Sequence, residues 1–217
     1  MTTRTTVSTR LTVADLIERL GDIPAERIWL DPAPGTATEK DVLAAHDREN
    51  RLCELVDGVL VEKAMGYKEA VIAGVLIHLI HTFLDEHDLG VVAAPDGMMK
   101  LAVGLVRIPD VSFVSWEKLP GRVLPKAPIP ALGPDIAVEV LSEGNTPAEM
   151  RRKTREYFAA GARLVWLIDP TARIVDVCTS PTRSRRLGEE DVVDGGKVLP
   201  GFSFTLRAML DRARLTR

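Results

Sequence analysis

Cysteine is almost missing from this 217-residue chain. Cys53 and Cys178 lie far apart and form no CxxC pair. A disulfide framework is excluded, and a reducing, cytoplasmic setting is the expectation. Aromatic residues make up only 5%, and Trp116 and Trp166 sit in apolar segments that read as core packing, not as base-stacking platforms. Neither charge sign dominates. With 28 Lys and Arg against 31 Asp and Glu, the net charge is -3, so any nucleic-acid role needs a local basic patch or carboxylates neutralised by metal. No long apolar run occurs: the richest stretch, Val71 to Leu84, is broken by Gly74, His78 and His81 and reads as a buried helix, with no membrane association expected. The opening MTTRTTVSTR lacks an apolar h-region, so no secretory signal is expected. Glycine-rich phosphate loops, GxSxG, HExxH and internal repeats are all missing, which leaves no signature of an organic cofactor.

What is present is an ordinary folded composition, 46% hydrophobic and 27% charged, which excludes wholesale disorder and a multi-span membrane protein. Residues 1–50 read as an N-terminal extension with too few apolar residues for its own core. It holds a short helix capped by Thr12 and ended by Gly21, a loop over 31–38, and a charged helix over 38–51. Residues 51–205 read as the main domain and 206–217 as a basic, amphipathic tail. In the domain, Asp57-Gly58 marks a hairpin, and apolar residues from Glu69 to Glu86 recur at helical spacing. Strands are expected around 90–94, 98–103, 106–114, 136–141, 163–169 and 174–178, with one more hairpin-like segment at Asp194-Gly195. Thr146-Pro147-Ala148-Glu149 is a capping-box start for a helix that Gly161 ends. Crossover helices are too few for a Rossmann pattern, so the fold class is α/β in the broad α+β sense, a central mixed sheet flanked by helices.

Three residues stand out chemically. Glu139 interrupts the apolar strand Ile136 to Leu141, where a carboxylate is costly unless paired, hydrogen-bonded or bound to metal. An edge position, or an arginine partner, explains it equally well. Asp110 follows Pro109, whose missing amide marks a strand start or bend. A turn or cap is the plainer explanation there. Lys153 shares a helix face with Met150 and Tyr157, the position of a snorkelling lysine. If the helix packs beside the Glu139 strand, its ammonium reaches the same side of the sheet. Two carboxylates and a lysine converging on one cleft suit metal-assisted phosphodiester hydrolysis with Mg²⁺. Neighbouring carboxylates raise a lysine's pKa, which argues against a general-base role for it.

ELVDG (54–58), MGYKEA (65–70), RIPDVSFV (107–114), the long run PDIAVEVLSEGNTPAEMRRKTREYFAAGARLVWLIDP (134–170) and LPGF (199–202) closely resemble the Uma-two family. This is a family of restriction-endonuclease-like proteins in the PD-(D/E)xK nuclease superfamily. The resemblance runs in order from Glu54 to Phe202. It implies an αβββαβ core whose first helix starts near Glu69, with Pro109-Asp110 as the proline-aspartate pair and Glu139 as the second acid. The superfamily's strand lysine would fall on Leu141, a departure; in this family the lysine comes from the following helix, at Lys153. The resemblance also makes Glu69 a candidate metal ligand, although a first-turn acid favourable to the helix dipole accounts for it too. Glu54 fits the ELVDG pattern with a role that could be purely structural.

The expectation is therefore a Mg²⁺- or Mn²⁺-dependent DNA endonuclease. Asp110 and Glu139 hold metal with Glu69 assisting, and Lys153 positions water. A homodimer would present two sites to a duplex. The alternatives are a catalytically inactive nuclease-fold protein acting in DNA or protein binding, and a hydrolase of another phosphate ester. His78 and His81 lack a third ligand for zinc. The basic residues at Arg183 to Arg186, with Arg207, Arg212, Arg214 and Arg217, read as phosphate contacts or as solvated surface.

Overall fold

A computed structural model describes residues 12–215. The chain folds around two sheets joined at a seam. The Asp57-Gly58 turn makes a tight hairpin of β1 (Cys53–Val56) and β2 (Val59–Glu62), with Val56 paired to Val59. Both turn residues have positive φ, 52° and 74°. A Cβ on Gly58 would stand 2.6 Å from a Gly35 backbone carbon, so the turn and the loop before it can meet only over glycine. The 20-residue helix α3 (Tyr67–Glu86) follows the N-terminal helices α1 (Val13–Leu20) and α2 (Glu39–Glu49). It starts two residues earlier than periodicity suggests.

Next come β3 (Gly90–Ala93), β4 (Met99–Ala102), β5 (Leu105–Arg107) and β6 (Val111–Ser115). The single strand expected over 106–114 is in fact two. Proline has no ladder donor, and at Ile108-Pro109 the chain leaves the four-stranded sheet β2-β1-β5-β4 and enters a six-stranded one. β7 (Ile136–Val140), α4 (Pro147–Ala159), β8 (Leu164–Asp169), β9 (Ile174–Ser180) and β10 (Arg183–Gly188) complete that second sheet, ordered β10-β9-β8-β7-β6-β3. β7 and β8 run parallel, bridged by α4, and the other neighbours are antiparallel. The succession α3, β3, β6, β7, α4, β8 is the expected αβββαβ order, with β4 and β5 inserted.

The six-stranded sheet is covered on both faces. One face, with Val138, Val140, Trp166 and Ile168, packs on Ile72, Leu76 and Ile80 of α3. By length and composition α3 is the one helix among the described residues that could cross a membrane; here its buried stripe lies against the sheet. The same core takes in Phe204 of β12 (Ser203–Thr205) and Leu206, Met209 and Leu210 of α5 (Leu206–Arg212). The segment read as a basic tail thus contributes core side chains. β12 pairs with β11 (Val192–Asp194) through an eight-residue connection, not a tight turn at Asp194-Gly195. On the other face Tyr157 of α4 packs with Ala137, Val165 and Cys178.

Arg27 pins the N-terminal segment to this body. Its guanidinium donates to Glu62 O (2.9 Å) and Gly144 O (2.7 Å), and bidentately to the buried Glu149 carboxylate (2.8 and 3.0 Å). Half of the expected capping box forms, because Thr146 accepts the Glu149 amide while Arg27 and Asn145 take the Glu149 side chain. Removing one partner of a buried pair leaves an uncompensated charge. Arg27→Met should therefore lower stability by about 3–5 kcal/mol in urea unfolding, and Arg27→Met/Glu149→Met should recover most of the loss.

Candidate active site at the seam between the sheets

The seam collects charge. Asp110, the first residue after the proline, is stitched to both sides of Glu139: its amide donates to Val138 O (2.9 Å) and its Oδ2 accepts the Val140 amide (2.7 Å). Alternation along β7 turns Val138 and Val140 into the α3 core and Glu139 to the α4 face. There it meets Lys153, whose Nζ stands 3.2 Å from each carboxylate oxygen, and Tyr157, whose hydroxyl donates to Oε1 at 2.5 Å. Met150, Lys153 and Tyr157 are all buried on one face of α4, as helical spacing requires. Asp110 is 2% exposed, Glu139 4% and Lys153 2%. The structure thus brings together all three residues that sequence reasoning placed at one cleft.

Two further groups complete the cluster. Glu54 of β1, fully buried, lies 3.1 Å from Lys153 Nζ, accepts the Ile108 amide (3.1 Å) and is bonded by Arg107 Nη1 (2.6 Å). Arg107 also donates from Nε to Glu156 (2.7 Å). Lys63, just past β2, is the residue sequence reasoning missed. Its Nζ donates to Ile108 O (2.7 Å) and Pro95 O (3.0 Å) and stands 2.9 Å from Asp110 Oδ1. The one signal for it was a lysine closing the ELVDG hairpin. Glu69 does not join them: its carboxylate turns back to accept the Gly66 amide at 3.1 Å, capping α3.

Burial and pairing set the protonation states. Burial pushes the Glu54 carboxyl up, but Lys153 and Arg107 overcome it and hold it down at about 2. For Glu139 burial wins over Lys153, and with the Asp110 and Glu54 charges beside it the carboxyl rises from 4.5 to about 7. Burial works to lower Lys153, yet Glu139 and Glu54 together raise it, so it is an ammonium at neutral pH. Burial and the Glu139 charge keep the Tyr157 phenol protonated as a donor.

The donor set suits a hard divalent cation. Asp110 Oδ1 is buried and has the Lys63 ammonium 2.9 Å away as its partner, and Glu139 lies next to Asp110 along the sheet. Among the described residues no three carboxylates, histidines or cysteines gather as a complete ligand set. Magnesium does not need one, since one or two carboxylates suffice when water and phosphate oxygens fill the remaining positions. Asp110 and Glu139 fit that pattern, and Glu69 is outside it.

A search of curated proteins returns no match. Among solved structures, the chain resembles one titled "a putative nuclease belonging to DUF820 from Anabaena variabilis ATCC 29413". The TM-score is 0.67 and the identity 16%, over 76% of this chain and 92% of that one. At that identity the likeness speaks for the fold. A family model described as "Putative restriction endonuclease" matches residues 40–207, from α2 to the start of α5 and including every residue of the buried cluster. The chain is a member of this family, Uma2.

Proposed function

We propose that the protein is a divalent-metal-dependent endonuclease that hydrolyses phosphodiester bonds in DNA. The observation that carries this reading is the buried union of Asp110, Glu139 and Lys153, drawn from the residue just before β6, from β7 and from α4. Asp110 and Glu139 would hold the metal, which supplies Lewis-acid charge neutralisation and a bound water of lowered pKa. Lys153 keeps its proton and so acts by charge: it orients the attacking water and stabilises the negative charge that develops on phosphate oxygens. Tyr157 fixes the rotamer of Glu139, and Glu54 with Arg107 holds the lysine in place. Cleaving both strands of a duplex calls for two such centres, supplied by a homodimer. The two buried free thiols are compatible with a reducing cytoplasm.

One observation favours a second reading, a nuclease-fold protein that binds without cutting. The acids are sealed from solvent, and two ammonium groups already balance them. Plasmid nicking separates the two. Supercoiled DNA with Mg²⁺ or Mn²⁺ should be cut, chelation should stop it, and Asp110→Asn or Glu139→Gln should slow it by about 10²-fold or more with the far-ultraviolet spectrum unchanged. Metal binding to the native state alone raises stability by RT ln(1 + [M]/Kd), about 2.7 kcal/mol at a hundred times Kd. Mn²⁺ should therefore raise the Tm of the wild type and leave that of Asp110→Asn unmoved. An absence of both cutting and thermal shift would sustain the inactive reading.

Lys153→Met removes the cation between Glu54 and Glu139 and leaves Glu139 with no ion-pair partner among the described residues, while Glu54 keeps Arg107. It should cost about 3–5 kcal/mol in denaturant unfolding, far more than the loss of an exposed lysine.

The metal-free protein should also show a stability change with the sign of a raised acid. Glu139 ionises in the unfolded chain near 4.5 but in the fold near 7. Its contribution is whole below 4.5 and falls as pH rises through 7. Unfolding curves across that window should flatten in Glu139→Gln.

A further inference from the structure

A groove of about 800 Å³ lies away from the acid cluster. It lies along the other side of α4, between that helix and the β8-β9-β10 part of the sheet. Lys153, Glu156 and Tyr157 point to the cluster, whereas Met150, Arg151, Thr154 and Arg155 line the groove. Its floor follows from strand register: Glu139 pairs with Leu167, Leu167 with Asp176 and Asp176 with Arg186. One cross-strand row therefore links the proposed metal ligand to the groove's far wall, three strand spacings or about 14 Å away.

Most arginines among the described residues are committed. Arg27, Arg51, Arg107, Arg122, Arg152, Arg163 and Arg207 each pair with a carboxylate. Arg151 and Arg155 on α4, and Arg183 on β10, are exposed and form no ion pair among the described residues, and all three line the groove, from opposite walls. The acids within it are already occupied. Asp176 binds Arg186 through both oxygens at 2.8 and 2.9 Å, and Asp169 accepts the Thr171 and Ala172 amides. What remains is a cationic trough with hydroxyls at Thr182 and Ser184 and an apolar floor at Met150 and Leu167. The chain as a whole is acidic.

We propose that this groove binds the phosphodiester backbone of a nucleic acid strand, with Arg151, Arg155 and Arg183 on successive phosphates. The inference rests on the reading that the protein acts on DNA, and it adds where the strand outside the reaction centre lies. Guanidinium groups match phosphate oxygens bidentately, and facing walls of them grip a repeating polyanion where a single anion would satisfy only one. The floor accepts the sugar faces between phosphates.

Binding and cutting are measured separately. A fluorescein-labelled duplex, and its single strand, are titrated with the Glu139→Gln protein in Ca²⁺ and followed by anisotropy across a salt series. Adding Arg151→Ser, Arg155→Ser and Arg183→Ser should weaken binding at least tenfold and lower the slope of log K against log salt by about 2–3, near 0.9 per lost phosphate contact. Arg48→Ser, an unpaired arginine outside the groove, should change neither. Thr182→Glu, which places a carboxylate on the rim and removes no arginine, should weaken binding with the melting curve unchanged. Unaltered affinity and slope in the triple variant overturn the proposal. So does wild-type failure to bind either oligonucleotide, or displacement of the duplex by polyglutamate as readily as by unlabelled DNA. Groove-dependent binding without plasmid cleavage by the wild type would count against the nuclease reading alone. Cleavage with groove-independent binding would count against the groove alone.

Discussion

The ammonium of Lys153, held between Glu54 and Glu139, is the contact on which the rest of the site depends. β1, remote in sequence, meets the consecutive elements β7 and α4 on that one charge. Without it two buried carboxylates would face each other, and burial alone already drives Glu139 towards its neutral form. The arrangement therefore does two things together. It closes the interface between the two sheets, and it keeps a carboxylate near its ionisation threshold where a metal ligand is proposed.

The seam explains why the protein needs both sheets. The six-stranded sheet holds Asp110 and Glu139, but the groups that fix the lysine and the aspartate, Glu54, Arg107 and Lys63, come from the four-stranded sheet or its edge. Pro109 is the hinge of this design. By denying a ladder hydrogen bond at the crossing point it ends one sheet and begins the next, and Asp110 is left where both meet.

Much of this was legible in the sequence, for definable reasons. Periodicity found α3 and the inward face of α4, because helical spacing alone puts Met150, Lys153 and Tyr157 on one side. Alternation found the odd carboxylate at Glu139. What stayed hidden was long-range. Nothing local distinguishes Lys63 from a solvated lysine, since its partners Pro95, Ile108 and Asp110 come together only through sheet pairing. Glu149 announced a capping box, yet a bidentate arginine more than a hundred residues away outcompeted the backbone amide. Glu69 shows the converse, for its cap at Gly66 is the local role that its first-turn position suggests. The basic run at Arg183 to Arg186, read as phosphate contacts or as solvated surface, is exposed and also forms a sheet strand, β10, which its run of charges did not announce.

That strand is the last in its sheet, so one row of its amides and carbonyls has no neighbouring strand among the described residues. A bare margin of this kind invites a second molecule to extend the ladder, the first step towards a fibre. Arg183 and Arg185 discourage it, because two such margins approaching each other would bring like charges into register. The same residues that crowd positive charge along this border therefore help to keep the chain from polymerising.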